Sequence, residues 1–133
     1  MAVSPMQNEH PFHKEWISKQ PPVWRKLFSE LREVLLLSHQ KMRETDAWQV
    51  PFYMCNSHFG YFTIKDNLPS FAFYNGAVLV KEYNQPLAGD TKLVRFWHFN
   101  PEQPSIDDSF YEVLQVALEY DAIKTQLKKL KTK

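Results

Sequence analysis

Histidine side chains are the first candidates for acid–base chemistry in this chain. His58 and His98 both fall in strand-like segments beside aromatic residues, and each imidazole has the chemistry of a general base. The alternative for both is a half-exposed histidine satisfied within a sheet. Ser57 directly precedes His58, but neighbouring strand residues point to opposite faces, so this pair is not expected to form a catalytic dyad. With no activated nucleophile or phosphate-binding loop in view, the sequence predicts no particular reaction.

His10 and His13 form a second histidine pair. Their i, i+3 spacing would place two imidazoles on one face of a helix, where a metal could bind. A metal site needs more ligands, and no carboxylate or third histidine follows in pattern. We therefore expect both histidines to belong to a solvated terminal segment.

Arg95 is the side chain best suited to hold a ligand. It lies between Leu93 and Trp97 on one face of a predicted strand. Its guanidinium could therefore pair with a carboxylate or phosphate while stacking on a ring. The alternative is a structural ion pair with an acidic side chain. The predicted ligand-binding set, with aromatic walls supplied by neighbouring strands, is Arg95, Trp97, Trp48, Tyr53 and Tyr61.

The central region predicts an antiparallel β-meander. Thirteen of the twenty aromatic residues fall between positions 48 and 99, in short runs separated by turn formers. Gly76 follows Asn75 at one such turn, where a positive φ is expected. Both faces of the sheet are partly apolar, so the face without helices is expected to carry exposed rings that bind a ligand or another subunit. The predicted strands lie near 48–54, 58–65, 70–74, 77–80 and 92–99.

Helices flank this meander on both sides. Pro21 and Pro22 are typical of a helix start, and a continuous apolar stripe predicts a helix over about 22–40. Apolar positions from Ile106 predict a second long helix that ends near Leu130. The fold class predicted is α+β, a two-layer sandwich of about five antiparallel strands covered on one face by N- and C-terminal helices. Residues 1–10 are predicted to form a flexible leader and residues 11–130 a single domain.

The charge distribution argues against two classes of partner. Residues 1–123 carry eleven basic and fifteen acidic side chains, whereas residues 124–133 carry five lysines and no acid. A nucleic-acid-binding fold spreads its basic residues over a face, so no nucleic-acid partner is expected. Nothing approaches the roughly 18 apolar residues of a membrane span, so no membrane partner is expected either.

Cysteine usage indicates the compartment. Cys55 is the only cysteine, which excludes an intramolecular disulfide and a cysteine-based zinc cluster and fits a reducing environment. No basic region followed by an apolar core precedes residue 22. We therefore predict a cytoplasmic protein in which Cys55 is buried and inert.

Four segments, taken in their order and spacing, carry a family resemblance over about residues 12–125. They are Leu31-Arg32, Trp48-x-x-Pro51-Phe52-Tyr53, Phe73-Tyr-Asn-Gly76-Ala77-Val-Leu79 and Arg95-Phe96. This pattern resembles the YdhG-like family of small bacterial domains of unknown function. The resemblance implies a frataxin-like fold, with two helices against one face of an antiparallel sheet. Since a member of the family has been described as an intracellular iron chaperone, it also implies a possible iron role.

Frataxin-type iron handling relies on carboxylates along the first helix and the start of the sheet, because hard iron ions prefer carboxylate oxygens. Arg32, Lys41 and Arg43 are interspersed at the matching positions and would weaken the attraction of a cation. The alternative is that these acids are solvated at element ends. The metal-ligating set that the resemblance implies is Glu30, Glu33, His39, Glu44 and Asp46.

Three hypotheses of function follow from the sequence. The first is a metal-handling module, the second a domain that binds a small molecule or protein partner on the open aromatic face around Arg95, and the third an unrecognised enzyme. We favour a non-enzymatic binding domain, with iron as the leading ligand and with a monomer or homodimer as the expected state.

Overall fold

The computed structural model describes residues 8–131, so residues 1–7 of the expected leader lie outside the described part. The long elements follow the apolar patterns closely: the helix expected over 22–40 begins at Pro22 and ends at Ser38. In chain order the elements are α1 (Pro11–Ser18), α2 (Pro22–Ser38), β1 (Arg43–Thr45), a 3₁₀ turn (Ala47–Gln49), β2 (Phe52–Met54), β3 (His58–Lys65), β4 (Leu68–Phe73), α3 (Gly76–Tyr83), β5 (Arg95–His98) and α4 (Asp108–Lys131).

The five strands form one open antiparallel sheet in the order β1-β2-β3-β4-β5. The prediction of an α+β fold with an antiparallel meander of about five strands is confirmed. Strands β3 and β4 are joined by the two-residue turn Asp66-Asn67, whose φ values are 54° and 62°. Two positive φ values match the right-handed twist of a hairpin, and Asn and Asp tolerate them well.

The hydrophobic core lies between the helices and one face of the sheet. Alternation along the strands sends Tyr53, Phe62 and Phe71 to this face, where all three are fully buried. Helix α2 supplies Phe28 to the same cluster, and α4 supplies Phe110. The sheet thus has a helix-covered face and a second face. Within residues 8–131, no helix has the length and apolar content needed to cross a bilayer.

One predicted strand is wrong. Residues 77–80 lie inside helix α3, because a short run of Ala, Val and Leu suits a buried helix as well as a strand. Gly76 begins this helix without a positive φ, and its role is close approach: a Cβ at this position would lie 2.5 Å from the backbone nitrogen of Arg95. At the other end Asn84 adopts the left-handed conformation, with a φ of 57°, that commonly ends a helix.

The first strand was not predicted. Residues 43–45 form β1, which pairs with β2 so that Glu44 lies opposite Tyr53. Its three residues, Arg-Glu-Thr, lack the apolar alternation by which strands are detected. Tertiary pairing, rather than local propensity, therefore makes this segment a strand.

Candidate functional site

Five ring-bearing side chains gather on the second face of the sheet, and we call them the aromatic patch. Phe52 pairs with Tyr61 across β2 and β3, so both point away from the core helices. Tyr74 follows the core residue Phe73 directly, and alternation sends it to the second face. The members of the patch are Trp48, Phe52, His58, Tyr61 and Tyr74.

A β-bulge places His58 in the patch. The register between β2 and β3 shifts after Tyr53, so that Met54 pairs with His58 while Tyr53 pairs with Gly60. The extra residue allows His58 to contact Phe52 on the second face while Phe59 packs in the core. Without the bulge, strict alternation from Tyr61 would send Phe59 to the second face and His58 toward the core.

Three rings of the patch are nearly parallel. The ring centroids of His58 and Tyr74 lie 5.0 Å apart at 25°, and those of Trp48 and His58 lie 5.5 Å apart at 24°. Trp48 and Tyr74 are 6.0 Å apart and only 3° from parallel. Beneath them Phe52 meets Trp48 edge to face at 4.9 Å and 80°. Both geometries are favoured by ring quadrupoles, so the rings of the patch are ordered against one another.

Trp48 is exposed and its backbone is strained. Its side chain is 61% exposed, and its φ and ψ are 54° and 29°, in the left-handed region. Gln49 follows with a φ of 59°. A bulky residue at positive φ is an outlier that costs on the order of 1–2 kcal/mol. Conformations of this kind cluster at functional sites, so Trp48 is the first residue to consider for binding.

A basic cleft of about 440 Å³ adjoins the patch, and we call it the lysine cleft. One wall is the loop between β2 and β3, and the other is the C-terminal end of α4. His58 belongs to both the cleft and the patch, so the two surfaces are continuous. The residues that line the lysine cleft are Asn56, Ser57, His58, Lys124, Thr125, Lys128 and Lys129.

Asp121 holds the two walls of the cleft together. It is 2% exposed on α4, and its carboxylate accepts hydrogen bonds from the backbone N–H groups of Asn56 at 3.0 Å and Ser57 at 3.1 Å. The Asn56 side-chain amide donates to it at 2.9 Å, and the Ser57 hydroxyl at 2.6 Å. With four donors, the buried carboxylate is well satisfied and fixes the loop that precedes His58.

Lys124 connects the cleft to the rings. Its Nζ lies 5.9 Å from the centroid of the Tyr74 ring, within the range of a cation–π contact. The same ammonium donates to the Oδ1 of Asn75 at 3.4 Å. A cation is thereby held at the edge of the aromatic patch.

A separate polar cluster is buried beneath α1. Glu44, whose side chain is completely buried, accepts from the Nε and Nη2 of Arg32 at 2.8 Å each. It also accepts from the hydroxyl of Tyr53 and from the backbone N–H of His10. Burial, followed by the charge of Glu44, raises the pKa of Tyr53 well above its usual range, so Tyr53 stays a donor. This cluster joins α1 and α2 to β1 and β2.

His13 is fully buried, contrary to the expectation of a solvated terminus. Its Nε2 lies 2.8 Å from the carbonyl oxygen of Phe52, so this nitrogen carries the proton and donates. The other nitrogen, Nδ1, is buried without a partner. Burial lowers the pKa of His13, although the nearby Glu44 opposes this effect. His13 is therefore a neutral part of the core, which local spacing could not reveal.

Cys55 is buried, as expected. Burial and the negative charge of Asp121 raise the pKa of its thiol to about 12. A thiol with so high a pKa forms little thiolate at neutral pH and is unreactive.

The predicted ligand-binding set is divided between the two faces of the sheet. Arg95 pairs with Phe73 on the helix-covered side, and its Nε donates to the carbonyl oxygen of Thr91. Trp97 packs on Phe110, and Tyr53 is fully buried. Trp48 and Tyr61 alone lie in the aromatic patch. The structure therefore does not bring this set together around Arg95.

The predicted metal-ligating set is also dispersed. Glu44 is occupied in the buried cluster, and the Nδ1 of His39 accepts from the backbone N–H of Lys41. Asp46 is exposed and lies 3.9 Å from the Nε2 of His10, while Glu30 and Glu33 are exposed on α2. Among residues 8–131, no group of three or more His, Cys, Asp or Glu side chains is placed to hold a metal.

The two histidines considered as general bases lie in different settings. His58 is in the aromatic patch, and the Nδ1 of His98 lies 2.6 Å from the Oγ of Ser70. Ser70 is fully buried and its Oγ is also 2.9 Å from the carbonyl oxygen of Leu68. A buried hydroxyl with these partners is not accessible as a nucleophile.

Sequence reasoning missed Phe52 and Tyr74 of the aromatic patch, Asp121, and the lysines of the cleft. Tyr74 and Asp121 carried no local signal, because their roles depend on pairing between distant segments. Lys124 does carry a signal, the excess of lysine after residue 123, but the sequence gives no sign that these lysines lie beside aromatic rings. The fold returns that helix to the β2–β3 loop and brings its lysines beside the rings.

Comparison with known proteins identifies the fold. No protein-family model matches the chain, and no curated protein matches its sequence. A crystal structure from Bacillus subtilis, described as the protein YdhG of the DUF1801 family, is similar with a TM-score of 0.62. The likeness covers 86% of this chain and 91% of that chain at 12% sequence identity. A likeness at this identity shows a shared fold, and the comparisons attach no enzymatic activity to this chain.

Proposed function

We propose that this chain is a non-enzymatic binding domain whose ligand is a planar aromatic small molecule that stacks on the aromatic patch. The observation that carries the proposal is Trp48, a 61% exposed indole in a strained backbone conformation, nearly parallel to two neighbouring rings. Trp48 packs on Phe52, yet most of its own surface stays in water. A ligand that stacks on this ring would cover that surface.

The energetics of stacking suit such a ligand. Alanine substitution of aromatic residues that stack on nucleobases costs roughly 1–3 kcal/mol per base, and the apolar area removed from water adds to this at about 25 cal/mol per Å². Because the rings of Trp48, His58 and Tyr74 are already ordered against one another, little conformational entropy is lost on binding. The patch favours flat ligands over saturated ones of the same size.

The test is a titration followed through the indole N–H signal of Trp48 in ¹⁵N-labelled protein. A panel of planar heteroaromatic compounds is compared with saturated-ring compounds of matched size. We expect a saturable shift of the Trp48 signal with planar compounds. The indole of Trp24, on α2, donates to the carbonyl of Pro101 and serves as an internal reference that should not move.

A pair of variants completes this test. Both variants are followed through the backbone amides of His58 and Tyr74, because Trp48→Ala lacks the indole probe. Trp48→Ala should abolish binding, whereas Tyr111→Ala, which removes an exposed aromatic ring on α4, should bind as the parent does. If no planar compound shifts the Trp48 signal at millimolar concentration, the proposed function is wrong.

The sequence and its family resemblance also predict an architecture, a location and a metal. We infer that helices and sheet make a two-layer sandwich of frataxin-like build, because the core residues of α1, α2 and α4 cover one face. The single cysteine favours a cytoplasmic location. Iron binding stays a prediction of the resemblance alone, and an anaerobic ferrous titration that follows the amides of Glu44 and Asp46 would test it.

A further inference from the structure

The lysine cleft and the aromatic patch form one continuous surface of mixed character. His58 lines the cleft and stacks on Trp48, and Lys124 lines the cleft and lies over Tyr74. A ligand that covers the rings therefore extends directly into a region lined by ammonium groups. Because the aromatic patch and the cationic cleft adjoin each other, together they suit a ligand that is planar at one end and anionic at the other.

The positive charge of the lysine cleft comes from residues 124–129 of α4. Lys124 and Lys128 are four residues apart and so lie on the same helix face, and Lys129 follows. The neutral groups of the cleft are already engaged: the Asn56 amide and the Ser57 hydroxyl donate to Asp121, and the Thr125 hydroxyl donates to its backbone oxygen. A ligand would therefore meet ammonium groups rather than free hydroxyls. Compact ammonium charges bind phosphate as point charges.

Resting on the proposed function, we infer that the ligand is a nucleoside phosphate, with its base on the aromatic patch and its phosphate in the lysine cleft. The cleft volume of about 440 Å³ lies within the roughly 300–1,000 Å³ of small-molecule sites. Inorganic phosphate alone would leave the rings uncovered. A nucleic-acid strand would extend beyond the lysine cleft over the rest of the protein. Residues 1–123 carry fifteen acidic and eleven basic side chains, which would disfavour it. A single nucleotide fits the volume of the lysine cleft, and its one phosphate group fits a positive charge that is limited to that cleft.

The test compares four nucleoside monophosphates with their unphosphorylated nucleosides and with inorganic phosphate. Binding is followed through the indole N–H of Trp48 and the backbone amides of the 56–58 loop. We expect at least one monophosphate to shift both regions and to bind about tenfold more tightly than its nucleoside, since several exposed charge pairs each add a small attraction. The difference should disappear in 0.5 M salt, because exposed charges are then screened.

A matched pair of double variants locates the phosphate. Lys124→Gln with Lys128→Gln should bring the affinities for monophosphate and nucleoside to the same value, and Lys128→Gln, which leaves the Lys124 contact with Tyr74 in place, should reduce the tenfold difference several-fold. Lys26→Gln with Lys92→Gln removes two exposed lysines elsewhere and should leave the tenfold difference intact. Circular dichroism of all three variants establishes that they are folded.

The outcomes separate this inference from the proposed function. If nucleosides and monophosphates bind equally, or if only planar compounds without phosphate bind, the nucleoside-phosphate inference is wrong while the stacking function stands. If oligonucleotides bind and no mononucleotide does, the inference is also wrong. If inorganic phosphate shifts the loop but no planar compound shifts Trp48, both proposals fail.

Discussion

Trp48 has two costs that a residue without a role in binding would be expected to avoid. Its backbone is in the left-handed region, which glycine adopts without steric strain and tryptophan does not. Its ring is largely exposed to water. The ring is nonetheless ordered by Phe52 below and His58 beside it. Local strain combined with ordered exposure is typical of a residue retained for contact with something outside the chain.

Replacing Trp48 by glycine should separate stability from function. Relief of about 1–2 kcal/mol of backbone strain should offset the lost ring contacts, so we expect the free energy of unfolding to change by less than about 1 kcal/mol. Urea denaturation measures this change. A loss of more than about 3 kcal/mol would show that Trp48 is primarily a structural residue.

His13 should make stability depend on pH. Its pKa is lowered by burial, so the unfolded chain binds a proton more readily than the folded chain. Its contribution is fully present above the unfolded pKa of about 6.5 and is lost as the pH falls below that value. Protonation would also add a buried N–H at Nδ1, which has no partner.

We therefore expect His13→Gln to flatten the dependence of unfolding free energy on pH between 7 and 5, by up to about 1.4 kcal/mol per pH unit. Urea denaturation at several pH values provides the measurement. An exposed residue that does not titrate supplies the control, since Gln40→Ala should keep the parent slope. An unchanged slope in His13→Gln would contradict the assignment of a buried neutral imidazole.

At the scale of elements, the buried carboxylates decide how the segments are joined. Glu44 is surrounded by donors from His10 before α1, from α2 and from β2, so Glu44→Gln would place an amide N–H₂ among donors. It would also remove the two-bond partner of Arg32 and leave Glu9 at 3.7 Å. We expect a loss of about 2–4 kcal/mol in unfolding free energy. Glu33→Gln, on the exposed face of α2, should change it by less than about 0.5 kcal/mol. Equal effects of the two substitutions would refute the network.

Asp121 joins α4 to the β2–β3 loop in the same way. Asp121→Asn retains one acceptor for four donors, so the loop should open more often and expose Cys55. We expect Cys55 to react with a thiol reagent at pH 8 at least tenfold faster in this variant, because both the loop and the negative charge that raises its pKa are altered. Glu119→Gln, an exposed acid two residues earlier, is the control. No increase in rate would show that the loop is held by other contacts.

The elements themselves differ in how far the sequence determines them. Helix α2 was predictable because its apolar stripe is long and periodic. Helix α3 was not, because the run from Ala77 to Val80 is short and its state depends on the close contact of Gly76 with β5. The rings on the second face were expected from the alternation, yet the patch itself requires the bulge at Met54 and the pairing of β2 with β3. Chemistry that is assembled from distant segments leaves no local pattern.

At the scale of the molecule, the fold gathers the basic residues of the C-terminal segment at one place. Residues 1–123 hold the acidic excess, whereas the lysines of α4 lie together beside the β2–β3 loop and the aromatic patch. A shared fold with YdhG from Bacillus subtilis at 12% identity leaves room for this surface to be specific to the present chain. One face of the sheet packs in the core, and the second face carries the aromatic patch beside the lysine cleft.

The titration of ¹⁵N-labelled protein with planar compounds, read through the Trp48 indole N–H, tests the central claim most directly. We predict a saturable shift of the Trp48 signal with a fixed Trp24 signal, together with shifts of the His58 and Tyr74 backbone amides that disappear in Trp48→Ala but persist in Tyr111→Ala. A Trp48 signal that is unmoved by every planar compound at millimolar concentration would contradict it.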